Sequence, residues 1–404
     1  MNQVETRKRH ANMAAASTVA LLMLSAASFR ALPRHTAQPL DLGRRPSAGR
    51  QGGLSRQSIG SGKLVESPEA TWNFAVSGDS RNCGDVVMPA IAADALKHDP
   101  AFYWHLGDLR KTSDFDEDMQ HEPEHIAHPM TISDYLGAEW DDFVQNQIRP
   151  FGLLPFFVGI GNHETVPPKT REQFLIEFAP WLNAPVLEAQ RLNDDGNNYH
   201  VRAYYHWIVG GVDFINLDNA TPDQFDSAQL AWFEGVLARD EADPILRTVV
   251  VGMHRALPES ISSGHSMNES PTGTESGRRV YADLLKTQNG AHKHVYVLAC
   301  HSHYFMDGIF NTDYWRTKGG VLPGWIVGTA GAVRYKLPEG SNEARQAMTK
   351  VYGYLLATVN PSGGPGGEIR FEFHEIKEPD VPSVVVDRFK PDFVHWCFEK
   401  NTAF

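Results

Sequence analysis

Beyond Trp72 the chain alternates short apolar runs with amphipathic stretches. The runs FAVSG, FYWHLG, LPFFVGIG, VDFINLD, RTVVVGMH, HVYVLAC and WIVGTAG are four to eight residues long and rich in β-branched and aromatic residues. That length and composition predict strands buried on both faces. Between them apolar positions recur at helical spacing. Leu136, Trp140, Phe143 and Val144 share one helical face; Leu230, Phe233 and Leu237 share another, with Ser227 as the expected N-cap. A third helix is predicted from Ser276 to Gly290, with Val280 and Leu284 facing in. Strands and helices in alternation predict an α/β or α/β/β sandwich. Near the end, VYGYLLATVN and GEIRFEFHEI, the second alternating at Ile369, Phe371 and Phe373, add antiparallel strands. The sequence has no internal repeat.

Polar residues collect where the predicted strands stop. FAVSG is followed by Asp79, FYWHLG by Asp108, LPFFVGIG by Asn162, His163 and Glu164, VVVGM by His254, and VYVLAC by His301 and His303. In open α/β sheets the carboxyl ends of strands line the ligand crevice, so these side chains can converge although they are distant in sequence. A single Gly-Asp after a strand is ordinary turn chemistry. Five such ends in one chain form a specific pattern.

In that order the blocks GDSR, LGDLR, GNHET, GMHRA and CHSHY resemble the calcineurin-like metallophosphoesterases, the superfamily that includes the purple acid phosphatases. The resemblance spans residues 78–303, and TAGAVRY and QLAWFEGVL are similar to flanking family segments. It implies a four-layer α/β/β/α sandwich of two packed mixed sheets flanked by helices. It also implies two metal ions of Fe, Mn or Zn, a choice that suits carboxylate, amide and imidazole donors. Asp108 would bridge them, Asn162, His254 and His301 would complete the second site, and Asp79 and His303 would belong to the first. His163 would stabilise or protonate the leaving group. The reaction implied is hydrolysis of a phosphate ester by a metal-bound hydroxide.

Two departures fall on the first site. Arg81 stands where the family pattern places a histidine ligand, and a guanidinium cannot bind a metal. Lys111 stands where purple acid phosphatases place a tyrosine. Three roles remain open to Arg81: binding a substrate phosphate oxygen, marking a centre with one metal, or pairing with a surface carboxylate. Cys300 replaces the glycine before His301 and is read as a core thiol. The tract 111–130, with His121, His125 and His128, is expected to be a solvated loop over the site, with a third metal-binding tract as the alternative. The insert after His254 reads as a lid or wall, with Arg255 and His265 as candidate substrate contacts.

The formal net charge of −12 argues against non-specific binding to nucleic acid or anionic lipid. Arg7, Lys8 and Arg9 precede a short apolar stretch and small residues, so residues 1–30 are expected to be a secretory signal with cleavage after Ala27. The stretch is shorter than a spanning helix wants, and no stable membrane span is expected after cleavage. Residues 31–68 form a Gly-, Ser-, Pro- and Arg-rich linker, and 69–404 the catalytic domain. Three cysteines allow one internal disulfide in an oxidising compartment; Cys83 with Cys397 is one pairing, which the spacing itself does not select. The expectation is an exported phosphoesterase, periplasmic or extracellular, acting on a small-molecule phosphate ester. Monoesters are slightly favoured; a phosphodiesterase or a non-catalytic phosphate- or metal-binding protein are the alternatives.

Overall fold

The computed structural model describes residues 67–197, 200–221 and 224–404. The expected signal segment, residues 1–30, and nearly all of the expected linker lie outside the described residues. The first strands are β1 (Trp72–Ser77), β2 (Pro100–His105), β3 (Phe156–Val158), β4 (Tyr205–Val209), β5 (Val212–Asn216) and β6 (Thr248–Met253). They are followed by β7 (His294–Ala299), β8 (Phe305–Asp307), β9 (Gly324–Val327), β10 (Gln346–Met348), β11 (Tyr352–Val359) and β12 (Ile369–Ile376). Two mixed sheets result, one ordered β12-β11-β1-β2-β3 and the other β10-β8-β9-β7-β6-β5-β4. In the first, β1, β2 and β3 run parallel; in the second, β5, β6, β7 and β9 do. Their carboxyl ends therefore gather on one edge, as the sequence pattern requires.

The sheets stack face to face through aromatic side chains. Phe74 of β1 meets Phe214 of β5 edge-on at 5.0 Å, Trp104 of β2 meets Trp207 of β4 at 5.1 Å, and Phe371 of β12 lies 4.3 Å from Trp325 of β9. Gly252 in β6 makes the approach possible, because a Cβ there would sit 2.3 Å from the Trp104 ring. Helix Gly84–Ala95 packs into the same core from the outer side of the first sheet, together with Trp140 and Phe143. Helices Ser227–Ala242 and Pro271–Gly290 cover the second sheet through Phe233, Val280 and Leu284. The architecture is the expected α/β/β/α sandwich.

Two helix starts differ from the expectation. Asp226, not Ser227, is the N-cap, its carboxylate accepting from the Gln229 N–H at 2.8 Å. The next helix begins at Pro271, capped by Ser270, whose hydroxyl accepts from the Gly273 N–H. Proline suits the first turn because its missing N–H would have no intrahelical partner there. The tract 111–130 is solvated only in part: His121, Glu124 and residues 126–129 are exposed, but it is not a plain loop. It forms helices Glu117–Gln120 and Pro123–Ala127, and Asp116 and Asp118 are buried near Arg110, with Asp118 Oδ1 3.0 Å from Arg110 Nη1.

Candidate metal centre

Three loops at strand ends carry the centre in a costly backbone conformation. Asp79 after β1, Asp108 after β2 and His301 after β7 have φ of 60°, 57° and 66°. A left-handed residue with a Cβ costs roughly 1–2 kcal/mol, and such residues persist where the surroundings over-determine them, as at functional sites. The surroundings here are explicit. Asp79 N–H donates to the Gly107 carbonyl at 3.0 Å, and His301 N–H donates to Asp79 Oδ2 at 2.6 Å. The buried Glu164 carboxylate accepts from the N–H groups of Asp108, Leu109 and Gly161 at 2.9, 2.8 and 2.7 Å. It thereby ties the loop after β2 to the loop after β3. Burial, and then the charge of Asp108, push Glu164 up to about 8. The glycine of GNHE is needed for approach, since a Cβ on Gly161 would lie 2.2 Å from Asp108 Oδ1.

Asp108, Asn162, His254 and His301 converge on one position. Around His254 Nε2 lie His301 Nδ1 at 2.9 Å, Asn162 Oδ1 at 3.0 Å and Asp108 Oδ1 at 3.3 Å. Ligands ~2.1 Å from a shared ion are themselves ~3 Å apart, so this spacing fits a transition metal. The tautomer fits as well. Cys300 Sγ donates to the Leu106 carbonyl at 3.3 Å and accepts from His254 Nδ1 at 3.1 Å, which leaves the Nε2 lone pair facing the cluster. Burial pushes His254 below its ordinary value and His301 well below, so both imidazoles are held neutral, the form that binds metals. Cys300 is a buried core thiol, as expected.

The adjacent first position is built from Asp79, Asp108 and His303, whose ligand atoms lie within 4.8 Å of one another; those of Asp108, His254 and His301 do likewise. The two clusters share Asp108, which is the layout of a dinuclear centre. Asp79 Oδ1 and Asp108 Oδ2 are buried without a hydrogen-bond partner. Burial pushes Asp79 up to about 6; burial also acts against the Asp108 carboxylate, but its positive surroundings, with the permanent charge of Arg81 among them, hold it well below the usual range.

Arg81 enters this first position. It is 8% exposed, not a surface residue, so the surface-pair role is excluded. Its Nη1 lies 2.7 Å from His163 Nε2, its Nη2 3.0 Å from His303 Nε2, and its Nε 3.7 Å from Asp108 Oδ2. A guanidinium only donates, so both Nε2 atoms accept. Their other nitrogens donate to backbone carbonyls, His303 Nδ1 to Val333 at 2.6 Å and His163 Nδ1 to Lys111. A divalent ion ~4 Å from this cation meets repulsion of about 8 kcal/mol at an effective dielectric of 20. The second position therefore fits a metal as it stands; the first does not while Arg81 holds His303.

The rim comes from the insert after His254. His265 stacks on Tyr335 at 5.2 Å and lies edge-on to His301 at 5.7 Å, while Tyr335 stacks on His303 at 4.1 Å. Arg255 is paired with Glu269 through Nη1. Tyr335, Glu164 and Glu269 were not singled out from the sequence as functional. TAGAVRY and GNHE contain the first two, and only the loop geometry reveals what they do.

No protein-family profile matches the chain. The seed purple acid phosphatase of yellow lupin (Lupinus luteus) matches in structure with a TM-score of 0.50 and 16% identity, covering 77% of this chain and 53% of that one. A PhoD structure matches at 14% identity and TM-score 0.44, covering 83% of this chain and 79% of its own. A dimetal phosphatase from Danio rerio matches at 12% identity and TM-score 0.44, with coverage of 74% and 98%. Among curated sequences, the lysine–tRNA ligase of Acinetobacter baylyi is 26% identical over 140 residues, 35% of this chain and 26% of that protein. The chain thus spans about half the lupin enzyme's length and about a quarter of the ligase's. The likeness to the lupin structure concerns the fold. The molecule shares the fold of that lupin structure, and candidate metal-ligand clusters occupy two adjacent positions.

Proposed function

We propose that the chain is an exported metal-dependent phosphoesterase that cleaves the P–O bond of a small phosphate ester, with monoesters favoured. The observation that carries this reading is the convergence of Asp108, Asn162, His254 and His301 at the carboxyl edge of two stacked sheets, with Asp108 Oδ2 left without a hydrogen bond. Asp108, Asn162, His254 and His301 would hold an ion of Mn, Fe or Zn. When bound, that ion supplies Lewis-acid activation of water and of a phosphoryl oxygen.

The chain's own residues do the rest. Arg81 places a permanent positive charge beside the metal position, suited to the doubly charged phosphate of a monoester. His163, its side chain 13% exposed, orients Arg81 through Nε2, so that the guanidinium charge stabilises the leaving oxygen. While its Nε2 accepts from Arg81 it has no proton to give there, so its part is to position that charge. His265, on the rim, contacts the alcohol portion, and Arg255 beside it is oriented by Glu269. Export is supported by the signal-like N-terminus and by a Cys83–Cys397 disulfide, a bond favoured in oxidising compartments.

One observation favours a non-catalytic phosphate-binding protein: the guanidinium in the first position. Hydrolysis of an aryl phosphate monoester and the matching diester by the metal-loaded full chain separates these readings. Faster monoester turnover is the expected result; a faster diester would reverse the preference, and no turnover of either would select the binding protein.

A further inference from the structure

We infer that Arg81 stands in for the first metal ion, so that the centre takes a single transition-metal ion, at the second position. The inference rests on the metallophosphoesterase reading above but departs from its two-metal layout. Three contacts carry it. Arg81 saturates the Nε2 lone pair of His303, the only nitrogen ligand in that cluster, at 3.0 Å. It does the same to His163 at 2.7 Å. Its Nε lies 3.7 Å from the Asp108 oxygen that would face a first metal.

Both histidines are fixed in these tautomers by the Val333 and Lys111 carbonyls. Ring rotation to free a nitrogen would break those bonds.

The loop that delivers Arg81 is anchored on both sides of it. Asp79 N–H is held by Gly107, the next residue, Asn82, donates its N–H to Asp116 Oδ1 at 2.6 Å, and Cys83 is bonded to Cys397. Tyr335, stacked on His303, closes another side of the position. Charge balance points the same way. Asp79 and Asp108 against one guanidinium and one divalent ion leave a small net positive charge, whereas a second divalent ion would add two more in a buried pocket, which is strongly unfavourable. The arginine cannot relieve this by losing a proton.

The test is metal content by elemental analysis, together with the electron paramagnetic resonance of the Mn-loaded full chain. The wild type is expected to hold one Mn per chain with the six-line signal of an isolated ion. Arg81→His, which restores a nitrogen donor, is expected to hold two, with the multiline signal of a coupled pair. Arg81→Lys keeps the charge and is expected to hold one. Two coupled ions in the wild type would overturn the inference while leaving the phosphoesterase reading intact. A folded Arg81→His that still holds one ion would overturn it as well. No ion in the wild type would remove both. The wild-type stoichiometry needs no variant to fold, so the inference remains open to refutation even if Arg81→His does not.

Discussion

Asp108 divides its two oxygens between two tasks. Oδ1 accepts from the His163 N–H at 3.0 Å and faces His254, while Oδ2 is buried without a hydrogen bond near Arg81. Asp108→Asn removes the charge that both positions share, so metal content and turnover should fall together; retained metal in this variant would contradict the assignment. Glu164 acts one step back, through three backbone N–H groups. Groups that orient metal ligands are typically worth 10–100-fold in affinity. Glu164→Gln should weaken metal binding by roughly that factor, as read by titration with Mn, whereas unchanged affinity would reduce Glu164 to a packing role. The ligand residues were legible because each follows a buried strand in a fixed order. Arg81 was legible only as an anomaly, because sequence does not say whether a guanidinium points inward. The tautomers of His163 and His303 depend on the Lys111 and Val333 carbonyls, which no motif contains.

At the scale of elements, the long apolar strands were readable, but three others were not. β8 and β10 have three residues each, too few for a period to show, and β4 carries His206 in an aromatic run. That histidine is buried between Asp194 and Asp213, at 2.6 and 2.7 Å, and joins helix Pro185–Asp194 to β4 and β5. Burial acts to lower its pKa, but the two carboxylates prevail and raise it to about 10. A raised histidine stabilises the fold fully below its ordinary value near 6.5 and loses that contribution as pH rises through about 10. The wild type should therefore lose stability between these pH values more steeply than His206→Gln, measured by urea unfolding. Parallel pH profiles would show that the pair contributes nothing. The C-terminal helix Pro391–Glu399 is bonded through Cys397 to Cys83, with Cα atoms 5.9 Å apart, at the start of helix Gly84–Ala95. Replacing both cysteines by alanine should cost about 2–5 kcal/mol. An unchanged melting temperature would show that the bridge is dispensable.

At the scale of the molecule, the centre exists because two mixed sheets stack closely enough to bring five strand ends to one edge. The stack depends on aromatic side chains from one sheet meeting small or apolar ones on the other, as Trp104 does at Gly252. No helix among the described residues is long and apolar enough to cross a membrane. Alternation of strands and helices indicated the layering, but the order of strands within each sheet could not be read, since it is set by pairings distant in sequence such as β1 with β11. On the function proposed above, this edge is a metal-dependent phosphoesterase centre. Its most direct test is turnover of an aryl phosphate monoester by the full chain before chelation, after chelation, and after return of Mn, Fe or Zn, with metal content measured on the same samples. Activity is expected to be lost with the metal and restored with it, and neither is expected to return in Asp108→Asn. Hydrolysis that persists in metal-free protein, or its absence in protein shown to be metal-loaded, would contradict that function.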